Sequence, residues 1–254
     1  MSALAVAAIL FVCVFGGALL GMLLRTKLPK HHLEDESKDV VKLGMGLVAT
    51  MAALVLGLLV ASAKSSYDSQ KNGLDQMSAS LVILDSALAE YGPEAQEPRA
   101  MLRRLVASTL ARIWPEDATE TSTLGGSETT TGGRALYGRI QRLSPQNDMQ
   151  RALQTQALRI LADLAEARWL LVAQRESGVI PTPFLLVLTF WLVVLFASFG
   201  LLGPPNGTVI ASLLVSALSV SGAVFLILEL SEPFEGLLRI SSLPLRNAFA
   251  QLGQ

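Results

Sequence analysis

Few residues in this chain have the type and spacing for chemistry. His31 and His32 are the only histidines, and they stand beside Glu34, Asp35 and Glu36. Adjacent histidines point in different directions on a helix or a strand, whereas a metal needs ligands that converge. The pair therefore reads as a solvated loop, and a pH-sensing or ligand role is its alternative. Cys13 is the only cysteine and lies in an apolar run, which excludes a disulfide framework and a thiolate metal site. It reads as a small core-like residue. The Gly-Gly pairs of 116–133 have no following G-K-[ST] and no preceding buried strand, so they are not a phosphate loop. No nucleophile elbow or dinucleotide fingerprint is present. The chain is thus expected to be no enzyme, with no catalytic residue, metal or cofactor. A net charge of −1 argues against a nucleic-acid partner. One spacing stands out. Thr208, Ser212, Ser216 and Ser219 lie four, four and three apart, so a helix places their hydroxyls on one face. Such a face lines a wet cavity or packs against a neighbouring helix, and packing is the favoured reading for Ser212, Ser216 and Ser219.

These residues need elements to position them, and the elements are membrane helices. Hydrophobic residues make up 51% of the chain and charged ones 16%, against about 25% charged in a soluble domain. Leu43 to Ala63 carries no charge, and at ~1.5 Å per residue it spans roughly 30 Å, the thickness of a bilayer's hydrocarbon core. Ala49, Ala53 and Gly57 recur every four residues along it, a ridge that lets helices approach closely. Ser2 to Leu24 is also uncharged. No Lys or Arg precedes it and it is full length, so it reads as a retained span rather than a signal peptide. Gly17 and Gly21 form a GxxxG pair there, another close-packing signal. From Gly178 to Leu228 the chain is uncharged again, too long for one span and right for two. Leu201–Gly207, LLGPPNG, supplies the turn. The spacing predicts a third span over Pro183–Leu202 and a fourth over Thr208–Leu228. No charged residue lies inside any of the four.

Between the second and third spans the pattern changes to soluble helices. Tyr67, Leu74, Leu81 and Leu88 recur every seven residues, with Met77, Leu84 and Tyr91 three further on, an a/d seam. Gly92-Pro93 ends it. A second amphipathic helix follows over Glu94–Trp114. The Thr/Ser/Gly-rich 116–133 reads as a flexible loop, and a short helix is expected over Arg134–Leu143. Residues 146–176 read as a long helix with Leu153, Ala157, Ile160, Leu164, Ala167 and Leu171 facing inward. The expected layout is therefore 1–63, two spans with a polar loop at 25–42; 64–177, an extramembrane helical domain; 178–228, two spans; and 229–254, an amphipathic tail. Ser37 or Asp39 is expected to cap the second span, and Phe234, Leu237, Leu238 and Ile240 to lie at the membrane surface. Four spans put both termini on the domain's side. Basic residues near the membrane are close to balanced between the two sides, so the positive-inside rule does not choose. The fold class is all-α, an integral membrane protein with four spans.

A resemblance rests on particular residues. DVVKLGMGLVATMAALVLGLLVASAKSSYDSQ, then a helical domain, then GPPNGTVIASLLVSALSVSGAVFLILELSEPFEGLLRISSLPLR, is similar to the bacterial bestrophin-like domain family. Its most specific parts are Gly44–Tyr67 and the turn Glu229–Gly236 with Arg239-Ile240-Ser241. Members usually carry an acidic residue where this chain has Ser231. The resemblance implies likeness to bestrophins, which are pentameric anion channels with a cytosolic helical domain and a neck lined by apolar residues of the second span. It thus implies a homo-oligomeric, anion-conducting channel in a bacterial inner membrane, with the termini and 64–177 cytosolic. Thr50, Leu54, Leu58 and Ala61 are then the pore-lining candidates, while Ala49, Ala53 and Gly57 pack against a neighbouring helix. Membrane lipid is the other expected partner. The alternative is a non-conducting membrane scaffold whose helical domain recruits a protein partner.

Overall fold

The computed structural model describes residues 2–27, 35–115, 128–177, 182–234 and 236–253. His31, His32, Glu34 and the 116–127 part of the loop lie outside them. The elements are α1 (Ala3–Lys27), α2 (Asp35–Tyr91), a 3-10 turn (Pro93–Ala95), α3 (Gln96–Ile113), α4 (Glu128–Gln141), α5 (Asp148–Ser177), α6 (Thr182–Leu202), α7 (Gly207–Ser231) and α8 (Leu243–Gln251). They form two compact units, one of Met1–Tyr67 with Gly178–Leu238, the other of Asp68–Ser177 with Arg239–Gln254.

Among the described residues, the first unit holds four helices long and apolar enough to cross a membrane: α1, the apolar part of α2, α6 and α7. Its core joins Leu10, Val14 and Ala18 of α1 to Leu188, Leu192 and Phe196 of α6 and Leu213, Ala217 and Val224 of α7. The closest approach is between α1 and α6. A Cβ on Gly21 would overlap the Ala197 carbonyl oxygen, and one on Gly200 would overlap the Ala18 carbonyl oxygen. Gly17 faces Val193 across the same crossing. Only glycine lets the two backbones meet, and in lipid such packing is what holds helices together. Arg25 lies in the last turn of α1 and donates to the carbonyls of Leu202 and Gly203. It therefore caps α6, where unpaired carbonyls and the negative end of the helix dipole favour a cation. The Pro-Pro turn follows, and the Asn206 side chain accepts from the Val209 N–H at 2.9 Å to start α7.

Several boundaries move from those the sequence suggests. Helix α2 begins at Asp35, so Asp39 is not a cap; it is inside the helix and pairs with Lys42 at 2.9 Å. The polar loop is correspondingly shorter than 25–42, because Arg25 and Lys27 belong to α1. Helix α7 runs past Leu228 to Ser231 and so carries Glu229, which is buried. Its Oε2 accepts from the Leu237 N–H at 2.6 Å and the Leu238 N–H at 3.3 Å. Gly236 turns the chain there with φ +79°, and a Cβ would collide with that carboxylate.

The second unit is built on the remainder of α2. Its predicted seam is its core side: Leu74, Leu84, Leu88 and Tyr91 are buried. Leu102 and Val106 of α3, Leu136 and Ile140 of α4, and Ala157 and Leu164 of α5 are buried too. The segment 128–133, expected as loop, is the first part of α4. Thr and Gly are poor helix formers, but tertiary packing overrides propensity: Gly132 lies against Leu105 of α3. The C-terminal residues also differ from expectation. Ile240 is buried rather than at a membrane surface, and its carbonyl accepts from the Trp114 indole N–H at 3.1 Å. Pro244 sits in the first turn of α8, where its missing N–H costs nothing. Leu245, Ala248 and Leu252 are buried. Leu237 and Leu238 remain exposed.

Candidate pore-lining helix

The chemistry of the candidate site follows from how α2 is covered. It is one helix of 57 residues. Only 6% of its most apolar window is buried inside the chain, against 28% for each of the other three spans. Among its described residues, Ala52 is the fully buried contribution to the membrane core, flanked by half-buried Met45, Val48, Val55, Leu56 and Leu59. These define the side of α2 that faces its own chain.

At about 100° per residue, Thr50, Leu54, Leu58 and Ala61 fall on the opposite side. All four are exposed, Leu54 to 65% and Leu58 to 62%. The Thr50 hydroxyl donates to the Gly46 and Leu47 carbonyls, so it presents its methyl outward and leaves no donor free. The four candidates are thus brought together as one apolar strip. Between strip and core side runs the small ridge. Ala49 packs partly on the core; Ala53 and Gly57 do not, and a Cβ on Gly57 would meet nothing within 4 Å.

The α7 hydroxyl face is placed away from the core. Leu213, Ala217, Ser221 and Val224 are buried, while Ser212, Ser216 and Ser219 are exposed. The packing surface that α7 uses inside its own chain is therefore not the hydroxyl face, because an apolar side matches the Leu and Phe side chains of the core better. Ser219 instead donates to the Val215 carbonyl at 2.9 Å. Gly17 and Gly21 are the one predicted packing pair that meets its neighbour inside the chain.

Sequence reasoning missed three polar arrangements. Arg99 grips the buried Asp85 with two hydrogen bonds, of 2.9 and 2.8 Å, and the Gly253 N–H adds a third at 3.0 Å. Burial pushes the Asp85 carboxyl up, but the Arg99 and Gly253 hydrogen bonds and the charges of Arg99 and Arg103 outweigh it and hold the group below its ordinary value. The Glu229 turn and the Trp114–Ile240 bond are the others. The bonds of Asp85 and Trp114 had no short-range signal, since their partners are distant in the chain; the Glu229–Gly236 turn was visible as a stretch, but the burial of its carboxylate was not. The α6 half of the glycine crossing was visible: Ala197 and Gly200 are small residues three apart. Among the described residues no group of three or more His, Cys, Asp or Glu is placed to hold a metal.

Four apolar helices, an extramembrane helical unit and an uncovered second span define the class: an all-α integral membrane protein. The chain belongs to the Bestrophin-like domain family, whose model matches residues 12–245. No curated protein matches it. Its fold is similar to that of a variant of a bacterial bestrophin homologue from Klebsiella pneumoniae, at 15% identity and a TM-score of 0.68, covering 100% of this chain and 99% of that one. A second variant of that homologue matches at 16% identity and a TM-score of 0.64, covering 95% of this chain and 99% of that one. At such identities the likeness shows the fold.

Proposed function

We propose that this chain forms a homo-oligomeric ion channel with α2 lining the path. The observation that carries this is the uncovered strip Thr50, Leu54, Leu58 and Ala61 on the least covered span. An apolar strip repeated around an axis makes a constriction that gates by dewetting, and it needs no charge or metal. Ala53 and Gly57 on one flank, and the α7 face of Ser212, Ser216 and Ser219, are the surfaces left for neighbouring subunits. Hydroxyls there bond across helices or to their own carbonyls. Anions are the ions that the family resemblance favours, and a pentamer the assembly. The same resemblance favours a bacterial inner membrane with the 64–177 domain and both termini cytosolic.

One observation favours the scaffold alternative: Trp169 and Leu170 of α5 are exposed to 68% and 55%, an apolar pair suited to recruiting a protein. A cryo-EM map of the protein in lipid nanodiscs, followed by anion flux from proteoliposomes, separates the two. A ring with α2 around a continuous axial path, and flux, is the expected result. A dimer, or an axis plugged at every depth without flux, overturns the channel in favour of the scaffold.

A further inference from the structure

The register that links Thr50, Leu54, Leu58 and Ala61 does not stop there. Steps of four and three carry it on to Ser65, Ser69, Asn72, Gln76, Ala79, Ile83, Ser86 and Glu90. Every one of these residues is exposed. The other side of the helix is buried, through Gln70, Leu74, Ser78, Leu84 and Leu88.

The composition of this stripe is unusual for a helix face turned to water. Such faces ordinarily carry Lys, Arg, Glu and Asp. The second unit follows that rule elsewhere, with exposed Arg103 and Arg104 on α3 and Arg151, Arg159, Asp163 and Glu166 on α5. The α2 stripe instead runs from apolar residues to uncharged polar ones at Ser65, Ser69, Asn72 and Gln76. Its first carboxylate is Glu90. A residue near the axis of a ring is repeated once per subunit. A charge there is multiplied, repels its own copies and selects strongly for one sign of ion. Hydroxyls and carboxamides each offer a donor and an acceptor, so they solvate either sign without that repulsion.

We propose that Ser69, Asn72 and Gln76 form an uncharged polar wall along the ion path that rehydrates the ion after the apolar strip and keeps the preference between anions and cations weak. This rests on the channel reading with α2 around the axis. It goes further by assigning charge discrimination to specific residues outside the membrane strip.

The test is the reversal potential of the full-length protein in planar bilayers under a salt gradient. Asn72→Asp is expected to raise the cation-to-anion permeability ratio and Asn72→Lys to lower it, each by about fivefold, the order set by charges facing one another across water. Gln156→Glu, exposed on α5 off the stripe, is expected to leave the ratio unchanged. If the wild type conducts but neither Asn72 variant moves the ratio, or Gln156→Glu moves it equally, the polar wall is overturned and the channel stands. If the reconstituted wild type does not conduct at all, the channel reading itself falls and takes the wall with it. Should the charged variants not assemble, Asn72→Cys on a Cys13→Ser background replaces them. A charged methanethiosulfonate reagent changes its conductance if the position lines the path and leaves it unchanged if it does not.

Discussion

At the scale of single residues, two sites set stability. Gly21 stands where α1 meets the Ala197 backbone, and the obstacle to any Cβ is a carbonyl oxygen rather than a side chain that can swing away. Gly21→Val is therefore expected to cost at least the ~1–3 kcal/mol of ordinary overpacking, read as a lowered unfolding temperature in detergent. Gly57→Ala, with nothing within 4 Å, is expected to leave the fold of a single subunit unchanged. Asp85 is the second site. Its carboxyl is held below its ordinary value of 3.8 by groups present only in the folded protein. It therefore adds stability above about pH 4, and that part is lost as pH falls through the depressed value. Asp85→Asn removes the pH-dependent part and leaves Arg99 without its charge partner. The expected loss is about 3 kcal/mol, at the low end for a broken buried pair because Arg99 keeps some access to water. Unfolding of the variant and the wild type at pH 7 and pH 3 checks both statements: the gap between them narrows in acid.

At the scale of elements, the C-terminal segment is the one whose role changes most. Residues 239–253 are a strap on the helical domain, held by the Trp114–Ile240 bond, the Asp85–Gly253 bond and the Phe249 ring under Arg103 at 5.4 Å. Removing 243–254 uncovers the surface that buries Leu245, Ala248 and Leu252 and takes away one of the Asp85 hydrogen bonds. The helical domain is expected to lose about 3–5 kcal/mol on apolar burial alone. Limited proteolysis that cuts the truncated protein within α3 (Gln96–Ile113), and spares that helix in the full chain, detects it. The amphipathic pattern of this tail was legible from its sequence. Its destination was not, because an apolar face fits a membrane surface and a protein groove equally well until the groove is known. The Thr/Gly segment 128–133 is a similar case. Its composition signals loop, and packing of Gly132 against Leu105 outweighs the propensity.

At the scale of the whole molecule, the proposed channel requires copies of the chain to meet around α2. The channel reading makes Leu54 a barrier to water. Leu54→Ala is expected to raise basal conductance several-fold, measured in planar bilayers beside a check that the variant assembles like the wild type. The residue is exposed to 65% in a single chain, so the substitution leaves no cavity in the subunit core and any change in conductance reports on the path.

The sequence by itself determined the class of the protein. An uncharged run of bilayer length has one stable environment, because lipid demands that every backbone group be paired within the segment. Four such runs, the seven-residue seam after Tyr67 and the inward face of α5 are all local periodicities, and the structure keeps them. The family was legible for the same reason, since its most specific residues lie in two short stretches. Which side of each helix meets which neighbour was left to tertiary structure. Small-residue ridges look alike in sequence, yet Gly17 and Gly21 close on α6 while Ala53 and Gly57 stay uncovered. The hydroxyl face of α7 turns outward because Leu213, Ala217 and Val224 match the core better. Asp85 and Trp114 find partners that local pattern does not name. Periodicity along one helix fixes only its phase; the partner of each face is a property of the packed whole.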